Sequence, residues 1–210
     1  MDNHPTEIQE IINKRNIREL IHFTRVKNLK SILSNGILTR KELDEKKIEY
    51  AFNDEKRLDG WVNASCISVT KINPFLIPKF NERYSLKNSD WFQIKIKPSI
   101  LTENECIFCD TNAASTTFNP FRNDMEKLNL LKSWIAFDAM FKNKVYQTQR
   151  PISRIYQKPN ETTCAQAEIC IIGKIPTNFF INLIEIILLI ISSVQYAKIN
   201  QNFSKSITNN

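Results

Sequence analysis

The sequence predicts an α+β fold, because segments typical of helices and of strands are mixed along the chain without a regular βα alternation. Two segments carry the clearest signals. Thr6-Glu-Ile-Gln9 is typical of a helix N-terminus, where the side chains of a capping box satisfy the first backbone N–H groups. Residues 91–97 end in an alternation of apolar and polar side chains, which is typical of a strand with one exposed face.

The elements of the N-terminal half follow from the same patterns. Apolar spacing predicts a strand over residues 20–24 and a helix over 26–35 that stops at Gly36. The highly charged stretch 39–60 indicates a surface helix or an ordered loop. The stretch 75–89 carries prolines and polar residues and indicates irregular structure.

In the remaining chain the patterns predict short strands at 66–69 and 107–108, a long helix at 124–141, a long loop at 144–163 and a strand at 165–172. Leu128, Leu131, Ile135 and Phe141 are expected near one apolar face of the long helix. The apolar run 179–191 indicates a buried strand followed by another strand or a helix. No repeat or linker interrupts the chain, so we expect one domain over 1–200 and a frayed tail over 201–210.

The composition restricts how the chain could bind a nucleotide. Its 210 residues contain only three glycines, Gly36, Gly60 and Gly173, which lie too far apart to form a Gly-rich phosphate loop. The formal net charge of +7 favours polyanionic partners, although a merely soluble basic surface would have the same charge. If a nucleotide is bound, another device must therefore hold its phosphates.

The cysteine count and the lack of a signal peptide indicate a reducing cytoplasm with free thiols, since five is an odd number. Cys106 and Cys109 have the spacing of zinc ligands, but no second pair follows and both histidines are distant. We therefore expect a structural strand there and no metal site. The apolar run 179–191 is shorter than the roughly 20 residues of a transmembrane helix, so no membrane span is expected.

His22 and Thr24 are the first candidate site residues. They lie two apart on a predicted strand, so their side chains point to the same face. Together they could form hydrogen bonds with a ribose hydroxyl and a carboxamide. The alternative, which local grounds favour, is a structural histidine with Thr24 capping the next helix.

Two later segments offer charged candidates. Residues 53–60 carry five charges and are more typical of a solvated loop, but Arg57 could pair with a diphosphate. Gln166 and Glu168 share one face at the start of an otherwise apolar strand. A carboxylate at that position could stabilise a developing positive charge or accept a proton.

Taken together, these segments resemble the DarT-type ADP-ribosyltransferases, toxins that modify single-stranded DNA. The similar blocks follow in order over about residues 20–180, at 22–29, 32–38, 53–60, 67–69, 108–115, 165–169 and 173–176. The stretch 72–88 departs from the family, which usually has an aromatic-rich segment there. One block would be weak, whereas this ordered series is fairly specific.

The resemblance implies a compact ADP-ribosyltransferase fold with a split, mostly antiparallel β-core, and NAD as a substrate bound without a metal. It implies that His22, Phe23 and Thr24 hold the nicotinamide end and its ribose, with Asn28 supporting that pocket. Two further roles are implied. Arg57 would meet the diphosphate or orient the reacting centre, and Glu168 would be the catalytic glutamate.

The resemblance also implies an acceptor and a partner. Blocks 53–60 and 108–115 look more like the guanosine-modifying branch than the thymidine branch, and the loop 146–163 would present the acceptor base. Basic and aromatic residues there are candidates for binding single-stranded DNA: Arg150, Arg154, Tyr156 and Lys158. The partner would be a macrodomain antitoxin that removes the modification. An RNA or protein acceptor, or a non-enzymatic nucleic-acid-binding domain, remain alternatives.

Overall fold

The computed structural model describes residues 5–52, 57–147, 149–193 and 195. Its helices are α1 (Pro5–Arg15), α2 (Leu29–Asn35), α3 (Arg40–Glu45), α4 (Leu76–Tyr84), α5 (Ile100–Glu103), α6 (Asn119–Arg122), α7 (Met125–Leu131), α8 (Trp134–Ala139) and α9 (183–193). Its strands are β1 (Leu20–Arg25), β2 (Ala64–Val69), β3 (Trp91–Ile96), β4 (Cys106–Cys109), β5 (Lys144–Gln147), β6 (Arg150–Ser153) and β7 (Glu168–Ile172).

Five of the strands form one sheet in the order β3-β1-β2-β7-β4, and all of its described pairings are antiparallel. This confirms the predicted α+β class and the mostly antiparallel core. β1 pairs with β3 over six residues, but it pairs with β2 only through Leu20 opposite Val69 and Ile21 opposite Ser68. The two strands are therefore unpaired beyond Ile21, and the sheet is split at that point.

The sheet has a core on each face, because successive side chains of a strand point to opposite sides. On one face, Ile169 and Ile171 of β7 join a large cluster that includes the apolar side of α1. On the other face, Cys170 joins a smaller cluster with Trp61. Glu168 shares the face of Cys170, so it lies on the side with the smaller core.

Helix α4 corrects the prediction of irregular structure over 75–89. It spans Leu76–Tyr84 and contains Pro78 in its first turn. Proline is tolerated there because the first N–H groups of a helix have no partner within the helix. Phe80 is buried, and the helix ends at Ser85 in a left-handed conformation with φ of 52°.

The predicted long helix over 124–141 is also wrong, because it is divided into α7 and α8. Ser133 accepts a hydrogen bond from the backbone N–H of Ala136 and so caps a new helix. Because the two helices differ in direction, Ile135 does not share the buried face of Leu128 and Leu131 and is 58% exposed.

The C-terminal predictions are confirmed only in part. Within 144–163, predicted as loop, β5 and β6 form a hairpin. The strand predicted from residue 165 begins at Glu168. In the apolar run, Phe180 forms a single bridge to Ile96 and α9 follows. No helix within the described ranges is both long and apolar enough to cross a membrane. The tail 201–210 lies outside the described residues.

We expect Gly36→Ala to lower the free energy of unfolding by about 3 kcal/mol, because it combines backbone strain with a steric clash. Gly36 has φ of 77°, and an added Cβ would lie 2.5 Å from the carbonyl oxygen of Ile175. Gly173 is the matched control, since its φ is 81° and nothing lies within 4 Å of an added Cβ. Gly173→Ala should cost only about 1 kcal/mol. Equal losses in urea denaturation would contradict this account of Gly36.

Candidate active site

A cavity of about 440 Å³ lies beside the split in the sheet. Its wall includes side chains from β1, from β2 and from the first residue of β7. All six residues predicted for catalysis and cofactor binding line it: His22, Phe23, Thr24, Asn28, Arg57 and Glu168. Residues separated by up to 146 positions in sequence are thus brought to one cavity.

The His22 imidazole bridges the split between the two strands. Its Nδ1 lies 3.1 Å from the backbone carbonyl oxygen of Cys66 on β2. A carbonyl can only accept, so Nδ1 carries the proton and donates it. Burial lowers the pKa of His22, the Cys66 carbonyl raises it and Arg57 lowers it, with a net decrease. The ring is therefore neutral at pH 7, and Nε2 is left as a hydrogen-bond acceptor.

Asn28 connects β1 to the segment around Ala51 through side-chain hydrogen bonds. Its Nδ2 donates to Thr24 Oγ1 at 3.1 Å and to the carbonyl oxygen of Ala51 at 2.8 Å. Its Oδ1 accepts from the backbone N–H of Ala51 at 2.8 Å. Thr24 is 4% exposed and caps no helix. The N-cap residue of the short 3-10 turn Val26–Asn28 is Arg25, and that of α2 is Asn28. The alternative in which Thr24 caps the helix is therefore wrong, and its role in binding stays a prediction.

Arg57 is held by the protein itself. Its Nε and Nη2 donate to the two carboxylate oxygens of Asp59 at 2.9 and 2.6 Å. Nη2 also donates to the carbonyl of Trp61, and Nη1 donates to that of Ala64. These bonds use four of the five guanidinium hydrogens. The expected solvated loop is thus wrong for Arg57 and Asp59, whose side chains are 16% and 7% exposed.

These contacts change what Arg57 can do. A diphosphate would have to displace bonds to Asp59 or to backbone carbonyls before the guanidinium could bind it in a bidentate manner. Arg57 instead fixes the turn that leads from residue 57 into β2. Residues 53–56 of the same block lie outside the described residues.

The Glu168 carboxylate is held in place by a hydrogen bond from the loop after β4. The backbone N–H of Ala113 donates to Glu168 Oε2 at 2.7 Å. Arg122 in turn holds that loop, because its Nη2 donates to the carbonyl oxygens of Ala113 and Ser115 at 3.0 Å each. Sequence reasoning missed Arg122, since no short-range pattern connects it to Glu168.

Three thiols and one carboxylate cluster under the cavity. Ligand atoms of Asp59, Cys66 and Cys170 lie within 4.8 Å of one another. Both oxygens of Asp59 bind Arg57, however. A hydrogen bond to Cys170 and burial raise the pKa of Cys66. The pKa of Cys170 is raised by a hydrogen bond to Cys109 and by burial, which together outweigh the opposing effect of Cys66. The cluster is therefore an ion pair beside neutral thiols.

The Cys106–Cys109 spacing does not form a metal site within this strand. Both residues lie in β4, three positions apart, so their side chains point to opposite faces of the sheet. Cys106 belongs to the large core and Cys109 to the small one. The structural interpretation of this motif is confirmed, and the wider absence of a metal stays a prediction.

The predicted nucleic-acid residues separate into two kinds. Arg154 stacks over the Phe141 ring at 5.5 Å and donates to the carbonyls of Lys158, Pro159 and Glu161, so it holds its own loop. Its expected role as a nucleic-acid contact stays a prediction, since a phosphate would have to compete with these carbonyls.

Arg150, Tyr156 and Lys158 differ from Arg154 in being exposed, with Tyr156 92% exposed. The hairpin that carries Arg150 contacts the segment that leads into β7. Gln147 of β5 accepts a 3.4 Å hydrogen bond from Gln166, two residues before Glu168. Arg150 is therefore carried by a hairpin that contacts the chain two residues before Glu168.

Sequence reasoning also missed the wall that α4 contributes to the cavity. Leu76, Lys79, Phe80 and Arg83 line it. The positions i, i+3, i+4 and i+7 form one face of a helix, and this signal is present in the sequence. The prolines at 74 and 78 obscured it.

We expect the free energy of unfolding to fall as the pH is lowered from about 7.5 to 5.5. Burial lowers the pKa of His22 in the folded protein, so the unfolded chain takes up this proton at a higher pH than the folded protein does. One such group contributes a slope of at most about 1.4 kcal/mol per pH unit. His22→Gln keeps a donor for the Cys66 carbonyl but does not titrate, so its slope should be smaller. Equal slopes for the two proteins in urea denaturation would contradict the buried, neutral His22.

The chain was compared with known protein families, curated proteins and solved structures. No curated protein matches the chain. Among solved structures it is similar to "Thermosipho africanus DarTG in complex with ADP-ribose", with 16% identity and a TM-score of 0.47. That match covers 78% of this chain and 42% of the other, so the chain spans less than half the length of that protein. Residues 21–205 match the family described as "ssDNA thymidine ADP-ribosyltransferase, DarT". Because this match covers most of its length, the chain belongs to the DarT family of single-stranded DNA ADP-ribosyltransferases.

Proposed function

We propose that this chain transfers ADP-ribose from NAD to a base, guanine, in single-stranded DNA. The observation that carries the proposal is the cavity that joins the neutral His22 imidazole to the Glu168 carboxylate across the split sheet. Membership of the DarT family supports NAD as the donor and single-stranded DNA as the acceptor.

The chemistry suits a fixed carboxylate. The bond between nicotinamide and the ribose C1′ breaks, nicotinamide leaves as a neutral molecule, and positive charge develops on the ribose. Glu168 stabilises that charge, and the Ala113 N–H keeps the carboxylate in place. A base nitrogen then attacks C1′, and its proton passes to the Glu168 carboxylate.

The β1 residues suit the donor half of NAD. His22 Nε2 would accept a hydrogen bond from a ribose hydroxyl, since Nδ1 already donates to Cys66. Thr24 Oγ1 accepts from Asn28, so its hydroxyl hydrogen is directed to another acceptor, such as the nicotinamide carboxamide. Phe23 contributes an aromatic wall whose ring centroid lies 5.6 Å from that of Trp91.

The acceptor side is the hairpin β5–β6 with the turn after it. A base must leave its stack to reach the cavity, and the energy needed for this is lowest in single-stranded DNA. The exposed Tyr156 offers a stacking surface, and Arg150 and Lys158 offer charge to the phosphates. Support for guanine comes from the blocks at 53–60 and 108–115, whereas the matched family description names thymidine.

The biological role that we propose is that of a toxin. A macrodomain antitoxin would act as its partner by removing ADP-ribose from the base, as the resemblance to DarT-type toxins implies. Co-expression of a macrodomain hydrolase should then restore the growth of cells that produce the chain. Unchanged growth arrest, with the modified base still removed from the DNA, would contradict this role.

The reaction is tested by incubating the chain with NAD and a single-stranded oligonucleotide of mixed sequence, followed by mass spectrometry of the nucleosides. We expect ADP-ribosyl guanosine. Glu168→Gln keeps an acceptor for the Ala113 N–H but removes the negative charge, so the rate should fall about 10³-fold. Glu103→Gln, at the exposed end of α5, is the matched control and should keep full activity.

Other products would change specific parts of the proposal. ADP-ribosyl thymidine would overturn guanine while leaving the reaction intact. Modification of RNA or protein in preference to DNA would overturn the acceptor. Salt-sensitive DNA binding without release of nicotinamide would identify a non-enzymatic nucleic-acid-binding domain.

We expect Tyr156→Ala to raise the KM for the oligonucleotide about tenfold or more, because stacking on a base contributes about 1–3 kcal/mol. The KM for NAD should not change. Lys158→Gln should weaken DNA binding less and reduce its dependence on salt. If Tyr156→Ala changes both KM values equally, the turn after the hairpin is not the acceptor surface. Steady-state kinetics with each substrate varied in turn measures this.

A further inference from the structure

Since Arg57 is engaged by Asp59 and by backbone carbonyls, the diphosphate of NAD needs another partner. We propose that Lys79 and Arg83, two exposed residues on the side of α4 that lines the cavity, form its diphosphate-binding wall. This inference rests on the proposed function, because it assigns a part of the NAD site.

The geometry of α4 places both cations on the cavity. Lys79 and Arg83 are four residues apart, so they lie on the same side of the helix. Both line the cavity together with Leu76 and Phe80 of the same face. Two adjacent cations on one helical face can each contact one of two linked phosphates.

The helix is fixed relative to the donor site by Trp91 of β3. The rings of Phe80 and Trp91 are stacked with centroids 6.0 Å apart, and Asn81 Oδ1 accepts a 2.7 Å hydrogen bond from Trp91 Nε1. Trp91 also contacts Phe23, the neighbour of His22. The α4 wall is therefore held at a defined place beside the residues proposed to bind the nicotinamide ribose.

The charges of the cavity support the same assignment. Arg57 is compensated by Asp59, and the Glu168 carboxylate accepts from the Ala113 N–H. Within the described part of the chain, no carboxylate forms an ion pair with Lys79 or Arg83. Arg83 stacks on the ring of Tyr84, at 5.3 Å from its centroid, which keeps its donors available.

The chemical consequence is selectivity for a diphosphate rather than for the nucleoside alone. ADP and ADP-ribose should compete with NAD, and adenosine should compete poorly. Charge-assisted bonds contribute about 1.5–3 kcal/mol, so each cation should change affinity by about tenfold or more.

The test compares Lys79→Gln and Arg83→Gln with Lys87→Gln, a matched control that is exposed, follows α4 and does not line the cavity. In the first two variants the KM for NAD should rise about tenfold while kcat changes less than about twofold. Binding of ADP, measured by calorimetry, should weaken by the same factor, and binding of adenosine should not change. Arg83→Lys should restore most of the loss.

Three results would overturn the inference. If both variants keep the wild-type KM for NAD and affinity for ADP while the wild type is active, only the diphosphate assignment fails. If the wild type neither releases nicotinamide from NAD nor binds ADP, the proposed function fails with it. Equal weakening of ADP and adenosine would show a structural role for α4 and would also contradict the assignment.

Discussion

The separation of β1 from β2 after two residue pairs is the constraint on which the rest of the site depends. Strands that stayed paired would satisfy the Cys66 carbonyl with a backbone N–H and close the sheet. Because they separate, the His22 side chain supplies that hydrogen bond instead. The bond fixes the tautomer of the imidazole, and the same separation makes room for the cavity.

The remaining parts of the site are held by contacts outside the cavity. Glu168 is at the first position of β7, and its carboxylate accepts from a loop that Arg122 clamps. Arg57 and Asp59 satisfy each other and the backbone that leads into β2. Arg57, Asp59 and Arg122 therefore pre-organise the cavity, while the proposed contacts with NAD are made by Glu168, β1 and α4. Pre-organisation of this kind lowers the energy needed to rearrange the site during a reaction.

The sequence allowed prediction of most strands and of the residues that meet in the cavity, because local alternation and ordered motifs carry that information. It did not allow prediction of α4, since Pro78 is a helix breaker except in a first turn. The sequence also did not allow prediction of the role of Arg57. Pairing with Asp59 and with backbone carbonyls depends on how residues 57–66 turn in space, and spacing alone cannot distinguish a buried ion pair from a ligand contact.

The most direct test of the site is a crystal structure of the Glu168→Gln variant, which should bind NAD without consuming it. We expect the nicotinamide ribose in the cavity beside the split, with its C1′ within about 4 Å of the side chain at position 168 and a ribose hydroxyl donating to His22 Nε2. NAD bound elsewhere, or a ribose turned away from both residues, would contradict the account.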